Sequence, residues 1–288
     1  MNIEKRSIVI LFVFFLSCGK NIKTVTKVEN MYSKIKKELA PDKRTELFDI
    51  QFHLLNGAII LKGETTSKKA LSRLQDSLKY SQVNFKSEVR ILPDSSLENR
   101  QFAIAKNSVI NIRSNPKHSA ELGTQGLLGM ALRVLDKKGD FYRIQTPDNY
   151  ISWVDKGGIQ RMNKRDFDLW NASKKVLFTN NAGQVFASKN KNSTIISDIT
   201  LGGVLKYVSE DASFYKVTYP DNRTGFIKKN EAIIYDSWLK NLKSTPENIE
   251  VIAKKMNGFP YLWGGTSTKG MDCSGFTKMV YLMNGYII

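Results

Sequence analysis

Thiol and imidazole side chains are scarce in this sequence. Its 288 residues include two cysteines, Cys18 and Cys273, and two histidines, His53 and His118. No metal-ligand spacing and no glycine-rich phosphate loop is visible, so we expect no cofactor and no metal. Two cysteines allow one disulfide at most, which excludes a small fold built on several disulfides. Hydrophobic residues make up 41% and charged residues 25%, which is typical of a globular protein.

Acidic residues are few as well. There are 27 of them against 44 Lys and Arg, which gives a formal charge of +17. This excess suggests an anionic partner, and nucleic acid, acidic lipid and anionic cell-wall polymers would all satisfy it. A lysine-rich surface that only keeps the protein soluble fits equally well. No nucleic-acid-binding motif accompanies the charge, so we expect no nucleic-acid partner.

The apolar run from Ile8 to Leu16 is too short to cross a bilayer as a mature helix. Two basic residues precede it and Ser17-Cys18-Gly19 follows it. This order resembles the signal peptide of bacterial lipoproteins. The resemblance implies a signal peptide over residues 1–17, a lipid on Cys18 and a tether over residues 18–29. We therefore expect an exported protein that a lipid anchors to a membrane of the cell envelope, facing the periplasm or on the outer membrane. The alternatives are a plain membrane anchor or an accidental cysteine.

Residues 30–94 carry the pattern of a small α/β module. Asn56-Gly57 lies between two strand-like runs, which is a strong hairpin signal. The spacing of apolar residues predicts, in order, a helix over 28–39, strands over 46–53 and 58–61, a helix over 65–78 capped by Thr66 or Ser67, and a strand over 83–91. This order resembles BON-like modules in topology.

The middle of the chain contains an internal repeat at an offset of 73 residues, from 128 to 201. Leu128-Gly129 corresponds to Leu201-Gly202, and Pro147-Asp-Asn corresponds to Pro220-Asp-Asn. The second pair predicts hairpin turns. Several short strands within each copy indicate two small barrels, over residues 102–163 and 174–236. The run that begins at Val109 resembles the opening of bacterial SH3-like domains, whereas the second copy is assigned mainly from the repeat.

Near the carboxyl end, Asp272-Cys273-Ser274-Gly275 leads into an apolar helical face. The cysteine therefore lies in the first turn of a predicted helix, where free N–H groups and the helix dipole favour a thiolate. A thiolate is the attacking form of a cysteine nucleophile. Without the flanking pattern, a buried structural cysteine would be the alternative.

Pro260-Tyr-Leu-Trp-Gly-Gly, a polar loop and Asp272-Cys-Ser-Gly-Phe together resemble the NlpC-type peptidases, over residues 244–288. These are papain-like α+β enzymes that cut peptidoglycan stem peptides. The resemblance implies that Cys273 is the nucleophile, and that Tyr261, Asp272 and Ser274 shape the pocket for the amino end of the peptide. Helix capping by Asp272 and Ser274 and core packing by Tyr261 are the alternatives.

The SH3-like repeats resemble those of the branch that hydrolyses the bond between γ-D-glutamate and a diamino acid. In that branch the first barrel lends an acidic residue and a tyrosine to the pocket, and Glu121 and Tyr150 are the candidates. The second barrel has Thr194 and Arg223 at the corresponding places. A surface glutamate and an ordinary barrel tyrosine are the alternative interpretation.

A thiol peptidase also needs a base, which in this family is a His downstream of the Cys. The 15 residues after Cys273 contain no His. We therefore expect this chain to be inactive, as a fragment or a frameshift product with a truncated peptidase domain. We also expect Phe276, Val280 and Met283 to lack a full apolar partner surface. The runner-up function is a non-catalytic lipoprotein that binds cell wall through its barrels. The predicted fold class is α+β: a small α/β module, two SH3-like β-barrels and the truncated papain-like domain.

Overall fold

The computed structural model describes residues 11–288, and their side chains from Lys23 onward. The predicted signal peptide is therefore mostly outside the described residues, and so is the side chain of Cys18. The chain divides into two compact units between Asp94 and Ser95. Of the helices in the described part, none is long and apolar enough to cross a bilayer.

The first unit contains the five predicted elements in the predicted order. They are α1 (Leu11–Leu39), β1 (Phe48–Leu55), β2 (Ala58–Thr65), α2 (Lys68–Tyr80) and β3 (Phe85–Ile91). β2 pairs antiparallel with β1 and parallel with β3. Asn56 and Gly57 have φ of 48° and 78°, as a two-residue hairpin turn requires. Of the two candidate caps of α2, Ser67 accepts the N–H of Ala70, while the Thr66 hydroxyl accepts the N–H of Leu47.

Residues 18–29, assigned as a tether, lie within α1, so the helix predicted over 28–39 begins earlier than expected. The helix continues on the amino-terminal side of Val28 since Val25 and Val28 extend the apolar spacing of Met31 and Ile35 by one turn. Val28 is completely buried in the core of this unit, and Val25 packs against the same core.

The second unit is built on two barrels with one topology. The first comprises β4 (Phe102–Ala105), β5 (Val109–Arg113), β6 (Leu122–Leu127), β7 (Ala131–Lys138), β8 (Phe141–Gln145), β9 (Ile151–Asp155) and β10 (Ile159–Met162). The second comprises β11 (Lys175–Phe178), β12 (Ala182–Phe186), β13 (Ile195–Thr200), β14 (Val204–Glu210), β15 (Phe214–Thr218), β16 (Thr224–Lys228) and β17 (Ala232–Ile234). The strand order β10-β4-β7-β8-β9-β5-β6 corresponds to β17-β11-β14-β15-β16-β12-β13, so equivalent strands occupy equivalent places.

Backbone irregularities recur at the same offset as the sequence repeat. Asn149 and Asn222 have φ of 65° and 69° in the two predicted hairpin turns. Gly129 and Gly202 have φ of 85° and 83° in the turns after β6 and β13. β7 and β14 each carry a register shift, at residues 134–136 and 207–209. The repeat predicted from sequence is therefore a structural repeat.

Three helices follow or join the barrels: α3 (Lys164–Ala172), α4 (Tyr235–Asn241) and α5 (Pro246–Lys255). α5 begins with Thr245 as its cap and Pro246 in its first turn. The short hairpin of β18 (Thr266–Ser267) and β19 (Gly270–Met271) then leads into α6 (Cys273–Leu282).

The expectation that α6 lacks an apolar partner surface is wrong. Val280 and Met283 are 3% and 5% exposed, and Phe276 is half-buried. They share a cluster with Leu127 of the first barrel and Leu177 of the second, together with residues of α5. The helix is covered because the two barrels present apolar side chains to it, a surface that the carboxy-terminal sequence alone does not reveal. The fold class is α+β.

Candidate active site

Cys273 is the first residue of α6 and its side chain is exposed. Asp272 caps the helix: its Oδ1 accepts the N–H of Gly275 and the hydroxyl of Ser274, both at 2.7 Å. Its Oδ2 accepts the N–H of Gly264 at 2.9 Å. The thiol therefore lies where the backbone N–H groups of the first turn point outward, an arrangement that stabilises negative charge.

Asp272 remains a carboxylate in this setting. Partial burial raises the pKa of Asp272, but hydrogen bonds from Gly275, Ser274 and Gly264 outweigh it and hold the pKa below its usual range. Ser274 donates to Asp272, so the structure gives these two predicted substrate-binding residues a role in capping α6. Both also lie next to the thiol in sequence.

Glycines let the loop before Cys273 pack against α6 and the first barrel. A Cβ on Gly275 would lie 1.9 Å from the carbonyl oxygen of Gly265, so α6 can begin here only with a glycine in its first turn. Gly264 has φ of 71°, and its Cβ would lie 2.3 Å from the carbonyl oxygen of Leu122. The predicted pocket residue Tyr261 forms a β-bridge with Met271, and its side chain is 68% exposed, so it is not a core residue.

The first barrel holds this loop through polar side chains of β6. The amide oxygen of Gln125 accepts the N–H of Thr266 at 2.9 Å and the hydroxyl of Ser267 at 3.0 Å. The hydroxyls of Thr124 and Thr266 lie 3.2 Å apart.

The second barrel holds the same loop through Lys269. Its Nζ lies 2.5 Å from Oδ2 of Asp198 and 2.9 Å from the hydroxyl of Ser108 in the first barrel. Ser108 in turn donates to Asp198 at 2.9 Å. Partial burial raises the pKa of Asp198, but its hydrogen bonds with Lys269 and Ser108 outweigh this and lower the pKa. The loop before Cys273 is therefore fixed between the two barrels.

Glu121 and Tyr150, the residues predicted to come from the first barrel, lie at two different places along the peptidase segment. Oε1 of Glu121 accepts the indole N–H of Trp263 at 2.9 Å. The Tyr150 hydroxyl lies against Gly123, and its ring centroid is 5.8 Å from Nζ of Lys278 in α6. Glu121 thus reaches the loop before Cys273, and Tyr150 flanks the helix that begins at Cys273.

The equivalent residues of the second barrel, Arg223 and Thr194, make different contacts. Arg223 pairs with Asp221 at 2.9 Å and donates to the carbonyl of Lys106 at 3.0 Å, so it joins the two barrels. Thr194 contributes its carbonyl to the N–H of Ala187 within the second barrel.

The histidine of the second unit, His118, is not placed at the thiol. His53 is exposed on β1 of the first unit. His118 packs edge-on against Phe141 and lies 3.6 Å from Asp155. Within the described residues, the thiol of Cys273 has no hydrogen-bonded partner, and no group of three or more metal-ligating side chains is present.

A cavity of about 580 Å³ lies beside the carboxy-terminal half of α6. Its lining includes Lys175, Trp170 and Trp238 and extends to Gln125 and Thr266, but it does not include Cys273. We therefore place the candidate site at the open surface around the thiol. Sequence reasoning missed Trp263 and Gln125 as parts of this site; Trp263 lies within the recognised motif, but no local signal connects it to Glu121.

Two stretches of the chain match known families. Residues 112–159 match the bacterial dipeptidyl-peptidase SH3 domain, and residues 258–288 match the NlpC/P60 family. A γ-D-glutamyl-L-lysine dipeptidyl-peptidase of Bacillus cereus is 32% identical over 178 residues, which cover 58% of this chain and 52% of the relative. The enzyme of the same name from Bacillus subtilis is 25% identical over 173 residues, covering 57% and 54%.

The chain thus spans about half the length of these curated relatives. A solved structure of an NlpC/P60 family protein from Bacillus cereus aligns with a TM-score of 0.57 and 23% identity, over 65% of this chain and 73% of that one. This likeness supports the fold. The predicted resemblances to bacterial SH3-like domains and to the NlpC-type peptidases are confirmed as similarities, over residues 112–159 and 258–288.

Proposed function

We propose that this chain carries the nucleophile, Cys273, of a peptidoglycan stem-peptide hydrolase that cleaves the bond between γ-D-glutamate and an L-diamino acid. The observation that carries the proposal is the exposed thiol at the first turn of α6, beside a carboxylate cap and a loop to which the first barrel contributes Glu121. The names of the two Bacillus relatives support the bond type and a substrate with a free amino end.

The chemistry follows that of other thiol nucleophiles. The Cys273 thiol loses its proton and the thiolate attacks the γ-carbonyl carbon of the glutamyl residue. The C–N bond breaks as the nitrogen of the diamino acid takes up that proton and leaves as a free amine. Water then hydrolyses the thioester and restores the thiol. Asp272 keeps the nucleophile at the helix start, and Glu121, Tyr261 and Tyr150 are the proposed contacts of the peptide. Because His118, the histidine of the second unit, packs against Phe141 and Asp155 and not at Cys273, we expect this chain to bind substrate without turning it over.

Alkylation of Cys273 by iodoacetamide tests the proposal. The modified peptide is quantified by mass, which separates Cys273 from Cys18. We expect L-Ala-γ-D-Glu-L-Lys to slow alkylation, the α-linked isomer to have little effect, and no lysine to be released. An unchanged alkylation rate with the γ-linked peptide would contradict substrate binding. Lysine release that disappears in Cys273→Ala would contradict the expected inactivity of this chain.

The membrane anchor is a separate proposal. Two basic residues, a short apolar run and Ser17-Cys18-Gly19 support export with a lipid on Cys18, which would hold the protein to a cell-envelope membrane. The anchor is tested by measuring the mass of the amino-terminal peptide of the protein isolated from cell membranes. We expect a chain that starts at an acylated Cys18. An unmodified peptide that still contains Met1 would refute the anchor.

A further inference from the structure

Trp263 combines a solvent-exposed ring with a fixed polar end. The side chain is 63% exposed, yet its indole N–H donates to Oε1 of Glu121 at 2.9 Å. The next residue, Gly264, donates its N–H to Asp272 and lies against the carbonyl of Leu122 in the first barrel. Trp263 is therefore held between the first barrel and the residue that caps the nucleophile's helix.

The same hydrogen bond restricts the side chain of Glu121. Its carboxylate is exposed, and among the described residues the indole N–H is its hydrogen-bond partner. A carboxylate can accept through both oxygens, so Oε2 stays open to a second donor. An exposed glutamate samples many rotamers, and the indole restricts them before any ligand arrives.

We propose that Trp263 is a positioning residue that holds Glu121 ready for the ammonium group of a free amino end, so that the two residues select this substrate class together. The inference rests on the function proposed above. This role explains why the first barrel and not the second supplies the carboxylate: Thr194, the counterpart of Glu121, has none.

The experiment compares L-Ala-γ-D-Glu-L-Lys with its N-acetylated form, using protection of Cys273 from iodoacetamide to obtain each affinity. In the unmodified chain we expect a preference of about tenfold for the free amine, since a hydrogen bond to a charged group is worth about 1.5 kcal/mol or more. Trp263→Phe keeps an aromatic ring but loses the N–H, and should reduce the preference to about twofold. Glu121→Gln should also reduce the preference to about twofold. Its amide oxygen can still accept the indole N–H, so the Trp263 N–H resonance should shift little.

Trp238→Phe is the matched control, because this indole lines the cavity beside the carboxy-terminal half of α6 and is not bonded to Glu121. It should keep the tenfold preference. If Trp263→Phe keeps the preference while Glu121→Gln loses it, the positioning role is refuted and the proposed function stands. Equal affinity of the unmodified chain for both peptides refutes ammonium selection. Absence of protection by either peptide refutes the proposed function itself, and the role of Trp263 with it.

Discussion

At the scale of single residues, the site depends on a close approach that only glycine permits. Gly275 lies in the first turn of α6, directly against the backbone of Gly265. Glycine normally weakens a helix by about 1 kcal/mol relative to alanine. A glycine is nevertheless required at this position because the loop that carries Tyr261 and Trp263 passes directly beside the start of the helix.

Gly275→Ala should therefore destabilise the second unit, against the usual helix preference. The new Cβ would lie 1.9 Å from the Gly265 carbonyl oxygen, and overpacking of this kind costs about 1–3 kcal/mol. Thr277→Ala, at an exposed position of the same helix, is the control and should change the free energy of unfolding by less than about 0.5 kcal/mol. Urea unfolding followed by tryptophan fluorescence measures both. Equal stability of Gly275→Ala and the parent would show that the loop can move away freely.

At the scale of elements, the two barrels are joined through equivalent turns. Leu128, in the turn after β6 of the first barrel, is 1% exposed and belongs to the hydrophobic core of the second barrel. Its carbonyl accepts the N–H of Val204 at 2.9 Å. Leu201, at the same place in the second copy, instead packs in the cluster that covers α6. The two copies of this turn therefore pack against different parts of the second unit.

Leu128→Ala should cost about 2–5 kcal/mol, as expected for a cavity at a fully buried leucine. The destabilisation should appear in the other barrel: amide hydrogen exchange should accelerate in β11 and β15 of the second barrel, although the substitution lies in the first. Leu201→Ala is the comparison and should accelerate exchange mainly in α6. Faster exchange confined to the first barrel in Leu128→Ala would contradict the shared core.

Local signals in the sequence were sufficient for most elements and for part of the site. The Asn56-Gly57 hairpin, the Thr245-Pro246 helix start and the repeated turns at Asn149 and Asn222 were predictable because a few neighbouring residues determine each of them. The insertion of Leu128 into the other barrel was not, since it depends on how the copies pack. The Glu121–Trp263 bond joins residues 142 positions apart, and no periodicity records it. The start of α1 was placed too late because a polar composition concealed the apolar spacing of Val25 and Val28.

At the scale of the second unit, three parts meet at one polar contact. Lys269 of the loop before Cys273, Asp198 of the second barrel and Ser108 of the first barrel are mutually hydrogen-bonded. Hydrophobic contacts provide most of the stability of such a junction, whereas a directional polar contact fixes its register. We therefore expect this contact to determine how firmly the loop is held rather than whether the barrels fold.

The Lys269–Asp198 pair should contribute little energy but a definite pH dependence. Both side chains are about half exposed (48% and 52%), so a double-mutant cycle of Lys269→Met and Asp198→Asn should give a coupling of about 0.5 kcal/mol. The hydrogen bonds lower the pKa of Asp198 below its ordinary value of 3.8 in the folded protein. The stabilisation is therefore complete above about pH 4 and is lost as the pH falls through the folded-state pKa.

Hydrogen exchange of the Thr266–Met271 loop between pH 7 and pH 3 is the direct measurement, after correction for intrinsic exchange rates. Loop protection in the parent should fall below pH 4, whereas in Asp198→Asn it should be lower throughout and nearly independent of pH. The Glu250–Lys254 pair on α5 is the control, since it is an exposed pair within one helix, and Glu250→Gln should leave loop protection unchanged. Parallel pH profiles in the parent and Asp198→Asn would mean that apolar packing alone holds the loop, and the barrels would then position Cys273 without help from this contact.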